Sequence, residues 1–289
     1  MPNKCKGCDG YLCLGCWNAR SLGAPCVTWK QQIDRSLARA AALKSYGLTL
    51  ILLLAAAAVS TFAAAAYSTT FNYTENPISD GGRWISGGTA TGGAFGDMAT
   101  NGTYAYGKNE RFPYGDPNAF LSGTWPSDQT VTETVRTTRD YSGAGCCYEV
   151  EIHLRFSASG SNEYGYEVNC SLQSRPEYLH IGSWDGPEGR FHAVAPDDTS
   201  DHCANGDVLT ASIIGSTIKV YLNGSLKITA TDTTCNGAAC HTSGAPGLGT
   251  YVEDSRESGA LANFGISDFR AMRLRKSFLA NSKSGNVSR

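Results

Sequence analysis

Along residues 206–232 apolar and polar positions alternate with a period of two, interrupted only at Gly215-Ser216 and Asn223-Gly224. That period marks strands with one dry face. It predicts three strands, Val208–Ile214, Thr217–Leu222 and Ser225–Thr231. A two-residue Gly215-Ser216 loop suits a type II′ turn, because Gly takes positive φ without steric cost. It pairs Ile213 with Ile218, Ala211 with Val220 and Leu209 with Leu222, so one face is apolar throughout. At Asn223-Gly224 a two-residue turn would set Val220 against Lys227 and Ile228 against Lys219, and a one-residue slip inverts every side chain. The expected register therefore uses a three-residue loop, Leu222-Asn223-Gly224, with Val220 opposite Leu226 and Ile218 opposite Ile228. The other face carries Ser212, Thr217, Lys219, Tyr221, Lys227 and Thr229 and is polar. A sheet with one dry face needs a second layer to cover it.

The same alternation predicts strands at 69–73, 119–124, 129–137, 148–156, 164–172, 178–183, 191–195 and 263–270, the last with a bulge at Asp268. In the strand from Tyr148, residues Tyr148, Val150, Ile152, Leu154 and Phe156 share one side. Cys147, Glu149, Glu151, His153 and Arg155 share the other. Many short strands without a long amphipathic helix after residue 66 make an all-β, two-layer antiparallel β-sandwich. The first and last strands are expected side by side, as in a jelly roll.

Ahead of it lies a different composition. Residues 1–45 are Cys-rich and basic, and residues 46–66 hold a single hydrophobic helix. A basic flank (Lys30, Arg35, Arg39, Lys44), a Leu-rich core and Ala64-x-Ala66 read as a signal peptide cleaved after Ala66, or as an uncleaved membrane anchor. Both readings export Tyr67 onward, so the β domain of residues 67–276 is secreted or held at the cell surface, touching membrane only through the N-terminal segment. Residues 277–289 form a polar tail without periodicity. Seven of the 24 Lys/Arg and two of the 26 Asp/Glu lie in residues 1–66, which leaves 17 against 24 in the remainder. An acidic domain without a basic stripe argues against nucleic acid as a partner.

Cys5, Cys8, Cys13 and Cys16 read C-x2-C-x4-C-x2-C, a supply of four thiolates for tetrahedral zinc; the alternative is a leader without metal. The six later cysteines are an even set, compatible with disulfides in an oxidising compartment. Cys147 with Cys170 and Cys235 with Cys240 are the expected bonds, leaving Cys146 and Cys203; the alternative is buried free thiols.

The order FNYTENPISDGGRW, YEVEIHLRF, GYEV, IGSWDG, GDVLTASIIGSTIKVYLNG, GAPGLGTY and NFGISDF resembles the concanavalin A-like lectin/glucanase (laminin G-like) superfamily across residues 69–272. The resemblance implies a jelly roll and a polysaccharide or glycan partner. It leaves activity open, because the superfamily holds lectins, carbohydrate-binding modules, glycoside hydrolases, polysaccharide lyases and adhesion domains. Its β-glucan-cleaving members carry E-x-D-x-E or E-x-D-x-x-E on one strand. Here Glu151 replaces the middle Asp and His153 the third acid, beside Glu149. Retaining glycosidases need two carboxyls about 5–5.5 Å apart. Lyase members use His and Tyr with a neutralising Arg, and His153, Arg155, Tyr164 and Tyr166 are of those types without the full motifs. The plain alternative is a solvated sheet face.

Sugar rings stack on flat aromatic side chains. Trp125 and Trp184 are expected exposed for that purpose, with Tyr221 beside them as a third candidate. Asp197, Asp198 and Asp201 cluster in one loop as oxygen ligands for Ca²⁺, or as a solvated acidic loop. The leading expectation is a lectin-like domain that binds carbohydrate without cleaving it. A hydrolase or lyase using Glu149, Glu151 and His153, and an extracellular adhesion module, are the alternatives.

Overall fold

A computed structural model describes residues 65–108, 116–233, 235, 239–253 and 260–273. The Cys5/Cys8/Cys13/Cys16 set, the hydrophobic segment up to residue 64 and the tail from residue 277 lie outside the described residues. The described chain is nearly all β, with one four-residue α-helix, α1 (Gly87–Ala90), and a 3₁₀ turn at residues 260–263. In order the strands are β1 (Ala65–Thr69), β2 (Thr74–Glu75), β3 (Trp84–Ser86), β4 (Gly96–Asn101), β5 (Ala105–Lys108) and β6 (Pro117–Leu121). Next come β7 (Gln129–Thr137), β8 (Tyr148–Ser159), β9 (Asn162–Ser171), β10 (Leu179–Gly186) and β11 (Phe191–Ala193). Last are β12 (Val208–Ile214), β13 (Thr217–Leu222), β14 (Ser225–Thr231), β15 (Ala245–Val252) and β16 (Phe264–Arg273).

All are linked in one large mixed sheet, ordered β11-β10-β9-β8-β15-β6-β4-β5-β16-β7-β12-β13-β14. The first strand, β1, pairs with the last, β16. Only β4 and β6 run parallel among the described pairs. Both halves of this path feed one core. Val131, Val135, Leu209, Ala211, Ile218 and Val220 come from the β7–β13 half. Val150, Ile152, Leu154, Val168, Ile181 and Leu248 come from the β8–β10 half and β15. Every one of these is essentially fully buried, and each Val, Leu or Ile among them stabilises by about 1.5–3 kcal/mol.

The β12–β13 register is the expected one, with Ile213 opposite Ile218, Ala211 opposite Val220 and Leu209 opposite Leu222. The next hairpin differs. Leu222 pairs with Ser225 and Tyr221 with Leu226 across a two-residue Asn223-Gly224 turn, and Val220 then faces Ile228. Both turn residues take positive φ, 52° and 79°, as a type I′ hairpin requires. The faces still agree because Lys227 is an extra residue on β14, a bulge that restores alternation. As a result Leu226 points to solvent, and Ile228 and Ala230 join the core.

Three further expectations shift. The first strand is β1, which ends at Thr69. Phe71 turns the chain with φ of 51° and drops its ring into the core. In β16 the extra residue is Ser267, between Ile266 and Asp268, and not Asp268 itself. In β8 a bulge after Leu154, with Arg155 at φ 52°, inverts the alternation. Phe156 therefore stacks on His153 at 4.0 Å, and Arg155 leaves that face.

Candidate functional site

Glu149, Glu151 and His153 share one face of β8, but that face is closed. They are 7%, 0% and 0% exposed, so the reading of a solvated face is corrected. A second apolar cluster, Phe95, Phe120, Phe156, Trp184 and Ala245, packs on this side of the sheet. Strand register supplies the rest. Glu151 lies opposite Asn169 on β9 and Gly249 on β15, and His153 opposite Glu167. Gly249 stands beside Asn118 of β6. A Cβ on Gly249 would collide with Glu151 Oε2 and press on the His153 ring, so a glycine leaves the room these groups occupy.

The polar contacts are dense and buried. His153 Nε2 lies 3.1 Å from Glu167 Oε2 and 3.6 Å from Glu151 Oε2. Trp184 Nε1 donates to Glu167 Oε2 at 2.7 Å, and Asn169 Nδ2 donates to Glu167 Oε1 at 2.8 Å. Asn169 also donates to Glu149 Oε2 at 2.6 Å, and the Tyr178 hydroxyl donates to Glu149 Oε1. Asn118 Nδ2 donates to both oxygens of Glu163 at 3.0 Å. Both oxygens of Glu151 accept no hydrogen bond.

Burial dominates the proton affinities. It raises Glu151 well above the carboxylate range, reinforced by the negative charges of Glu167, Asp116, Glu149 and Glu133. It raises Glu163 as well, against the Asn118 hydrogen bond. Glu149 is pushed up to about 7 by burial, with Tyr178 and Asn169 acting in the opposite sense. For Glu167 burial is outweighed by the hydrogen bond and charge of His153, then by Trp184 and Asn169, and its proton affinity falls. Two neighbouring carboxyls are thus driven apart, one toward the acid and one toward the anion. A glycosidase uses such a pair; here Glu151 is 0% and Glu167 3% exposed.

The residue types of a lyase are dispersed. Arg155 donates from Nε to Ser127 O at 2.6 Å, from Nη1 to His241 O at 2.8 Å and from Nη2 to Gly215 O at 2.6 Å. Its guanidinium is spent on holding loops together. The Tyr166 hydroxyl donates to Asp232 at 2.6 Å in the interior, and Tyr164 is exposed.

Trp184 is not an exposed stacking platform. It is 4% exposed and packs edge-on against Phe95, with centroids 5.2 Å apart. Trp125 is half-buried against the same cluster, with the Arg273 guanidinium over its ring at 4.7 Å. Tyr221 is half-exposed on β13, opposite Thr210 and Leu226. Asp197 holds a partner of its own, and Asp198 and Asp201 share the Ser200 hydroxyl. Asp197 lies 2.6 Å from His180 Nδ1, Asp198 accepts from Ser200, and Asp201 pairs with Lys227 Nζ at 2.8 Å. Among the described residues they do not converge on a common point. Among the described residues the disulfides are Cys170–Cys203, Cys146–Cys147 and Cys235–Cys240. The last is the expected bond. Cys170 faces the core side of β9 beside Val150, and Cys203 meets it there, so the expected Cys147–Cys170 bond does not form.

Two features escaped the sequence reading. One is the β9 row Glu163, Glu167 and Asn169. Its period-two spacing was visible, but only the β8–β9 register sets it against Glu151 and His153. The other is an open pocket of about 460 Å³ along β1 and β16. Ser68, Thr69, Thr70, Asn72 and Tyr73 line it, with Asp80, Arg83, Asp268 and Arg270. Arg83 lies 3.5 Å from Asp80 and Arg270 3.1 Å from Asp268. The Tyr67 hydroxyl, which accepts from Trp84 Nε1 at 2.8 Å, donates to Asp80 and ties the pocket to the core.

Neither a protein-family model nor any curated protein matches the chain. Solved structures show a distant likeness. The carbohydrate-binding module CBM66 from Bacillus subtilis is 16% identical, with a TM-score of 0.44 over 68% of this chain and 96% of that one. The Emp46p carbohydrate recognition domain, metal-free, is 11% identical at 0.43, over 70% and 96%. Beta-agarase A in complex with oligoagarose is 11% identical at 0.43, over 71% and 90%. Each of these is a concanavalin A-like jelly roll.

Proposed function

We propose that residues 67–276 form an exported two-layer sandwich that binds carbohydrate without cleaving it. The observation that carries this reading is the open β1/β16 pocket. At about 460 Å³ it falls within the roughly 300–1,000 Å³ of small-ligand sites. Its lining suits vicinal sugar hydroxyls: carboxylates and an amide accept or donate in pairs, guanidinium groups donate in forks, and Tyr73 offers an apolar ring. The sealed β8 face supports the non-catalytic half of the proposal. In glycan-array and calorimetric measurements an oligosaccharide binds, and Asp268→Ala or Arg270→Ala weakens binding about tenfold or more, by loss of charge-assisted hydrogen bonds. Absence of binding to every polysaccharide tested, in a folded protein, rejects the proposal.

A glycoside hydrolase is the second reading. The opposed proton affinities of Glu151 and Glu167 favour it. It requires the β8 face to open, and sugar release that survives Glu151→Ala eliminates it.

A further inference from the structure

We propose that Glu151, His153 and Glu167 form a buried site for one divalent first-row cation. Three observations converge. First, Glu151 is 0% exposed and both its oxygens lack a hydrogen-bond donor. A buried carboxylate left this way is either neutralised or coordinated. Second, the spacing is that of a coordination shell. Bonds of about 2.0–2.2 Å place neighbouring ligand atoms about 3.0 Å apart in an octahedron and about 3.4 Å apart in a tetrahedron. His153 Nε2 stands 3.1 Å from Glu167 Oε2 and 3.6 Å from Glu151 Oε2, and one ligand atom from each residue lies within 4.8 Å of the others. Third, acidic groups dominate the surroundings. Glu167, Asp116, Glu149 and Glu133 all act on Glu151, and the basic neighbour, His153, is itself one of the proposed ligands.

The surroundings support the assignment. Trp184 and Asn169 fix the Glu167 carboxylate by donating to both its oxygens, the role outer-shell donors play around bound metals. Gly249 leaves the space in front of Glu151 Oε2 and His153 Nε2 free of a side chain. Two carboxylates and one imidazole suit Mn²⁺ or Zn²⁺ rather than a soft thiophilic ion. The position is closed to solvent, so the cation enters as the chain folds.

The test starts from full-length protein unfolded in denaturant with chelator, disulfides intact, and refolded with MnCl₂, with ZnCl₂ or with chelator alone. Mn²⁺ is the primary probe because the N-terminal Cys5, Cys8, Cys13 and Cys16 compete for Zn²⁺. The zinc arm therefore uses a full-length chain with those four changed to Ser. Elemental analysis is expected to find one metal per chain, with Tm higher by roughly 5–10 °C at about a hundred times Kd. Glu151→Gln and Glu167→Gln should each lose the metal and the Tm shift, and Asp201→Asn should keep both. Gln matches Glu in shape and removes a buried charge, so these variants should refold, as checked by circular dichroism. No retained metal and a Tm equal to that in chelator, for the wild-type chain with MnCl₂ and for the four-Ser chain with ZnCl₂, overturns the proposal. So does one metal per chain retained by Glu151→Gln. Should a Gln variant fail to refold, the wild-type comparison of MnCl₂ against chelator decides alone.

Discussion

Glu133 sits where the fold wants a hydrophobic residue. On β7 it lies between inward-facing Val131 and Val135, opposite Leu209 on β12 and Phe269 on β16. All four are at most 1% exposed, Glu133 itself is 0% exposed, and neither of its carboxyl oxygens has a partner. Burial alone raises its proton affinity well above the ordinary value of 4.5. Its folded-state pKa therefore exceeds its unfolded one, so the folded state binds the extra proton. Stability then falls as pH rises above about 4.4, by about 1.4 kcal/mol per unit, until the folded-state pKa is reached. Glu133→Met keeps the volume and removes both costs. Below about pH 4, where the group is neutral in both states, the gain is that of removing an unpaired buried polar group, about 1–3 kcal/mol. At about pH 5.5 it should be larger by about 1.4 kcal/mol. Glu151, which feels the Glu133 charge, shifts the result in the same direction. Urea denaturation of both proteins across about pH 4–7 reads the difference directly, because every other carboxyl is common to the two. A difference that does not change with pH, or a variant less stable at every pH, would refute the reasoning.

Two further stability tests follow from the same structure. Cys203→Ser opens a bond between residues 33 apart; constraint of the unfolded chain over such a loop is worth about 3–4 kcal/mol, read as a lower denaturation midpoint than wild type under oxidising conditions and a smaller gap in reductant. Arg155→Met strips donors from the carbonyls of Ser127, His241 and Gly215 and leaves Asp128, 3.8 Å away, as a buried carboxylate that loses its guanidinium partner and keeps the Gly215 N–H as a donor. The expected loss is about 3–5 kcal/mol, and a loss below about 1 kcal/mol would show that these loops are held by other contacts.

The β12–β13 hairpin was legible because one local rule decided it. Gly215 admits the turn, and alternation between Leu209 and Leu222 leaves one register with a dry face. The same rule misplaced β14. The conflict between a two-residue Asn223-Gly224 turn and the apolar faces can be relieved in the loop or by a bulge farther along. Nothing within those residues chooses between the two. The choice fell to the bulge at Lys227, which seats Ile228 and Ala230 in the core and frees the lysine to meet Asp201.

At the candidate sites the division is similar. Period two placed Glu149, Glu151 and His153 on one side of β8, and it could not say that this side is interior. A charged row reads as a wet face until other groups are packed on it, and Phe95, Phe120 and Trp184 arrive from three other segments to join Phe156 of β8 itself. Glu167 and Asn169 join only through the β8–β9 register, and the pocket at Arg270 exists only because the first strand pairs with the last. Alternation and turn chemistry are properties of neighbours along the chain, so the sequence alone determined the strands and most of their faces. Burial, proton affinity and the meeting of carboxylates depend on what covers a face from elsewhere in the chain, and those only the tertiary structure decided.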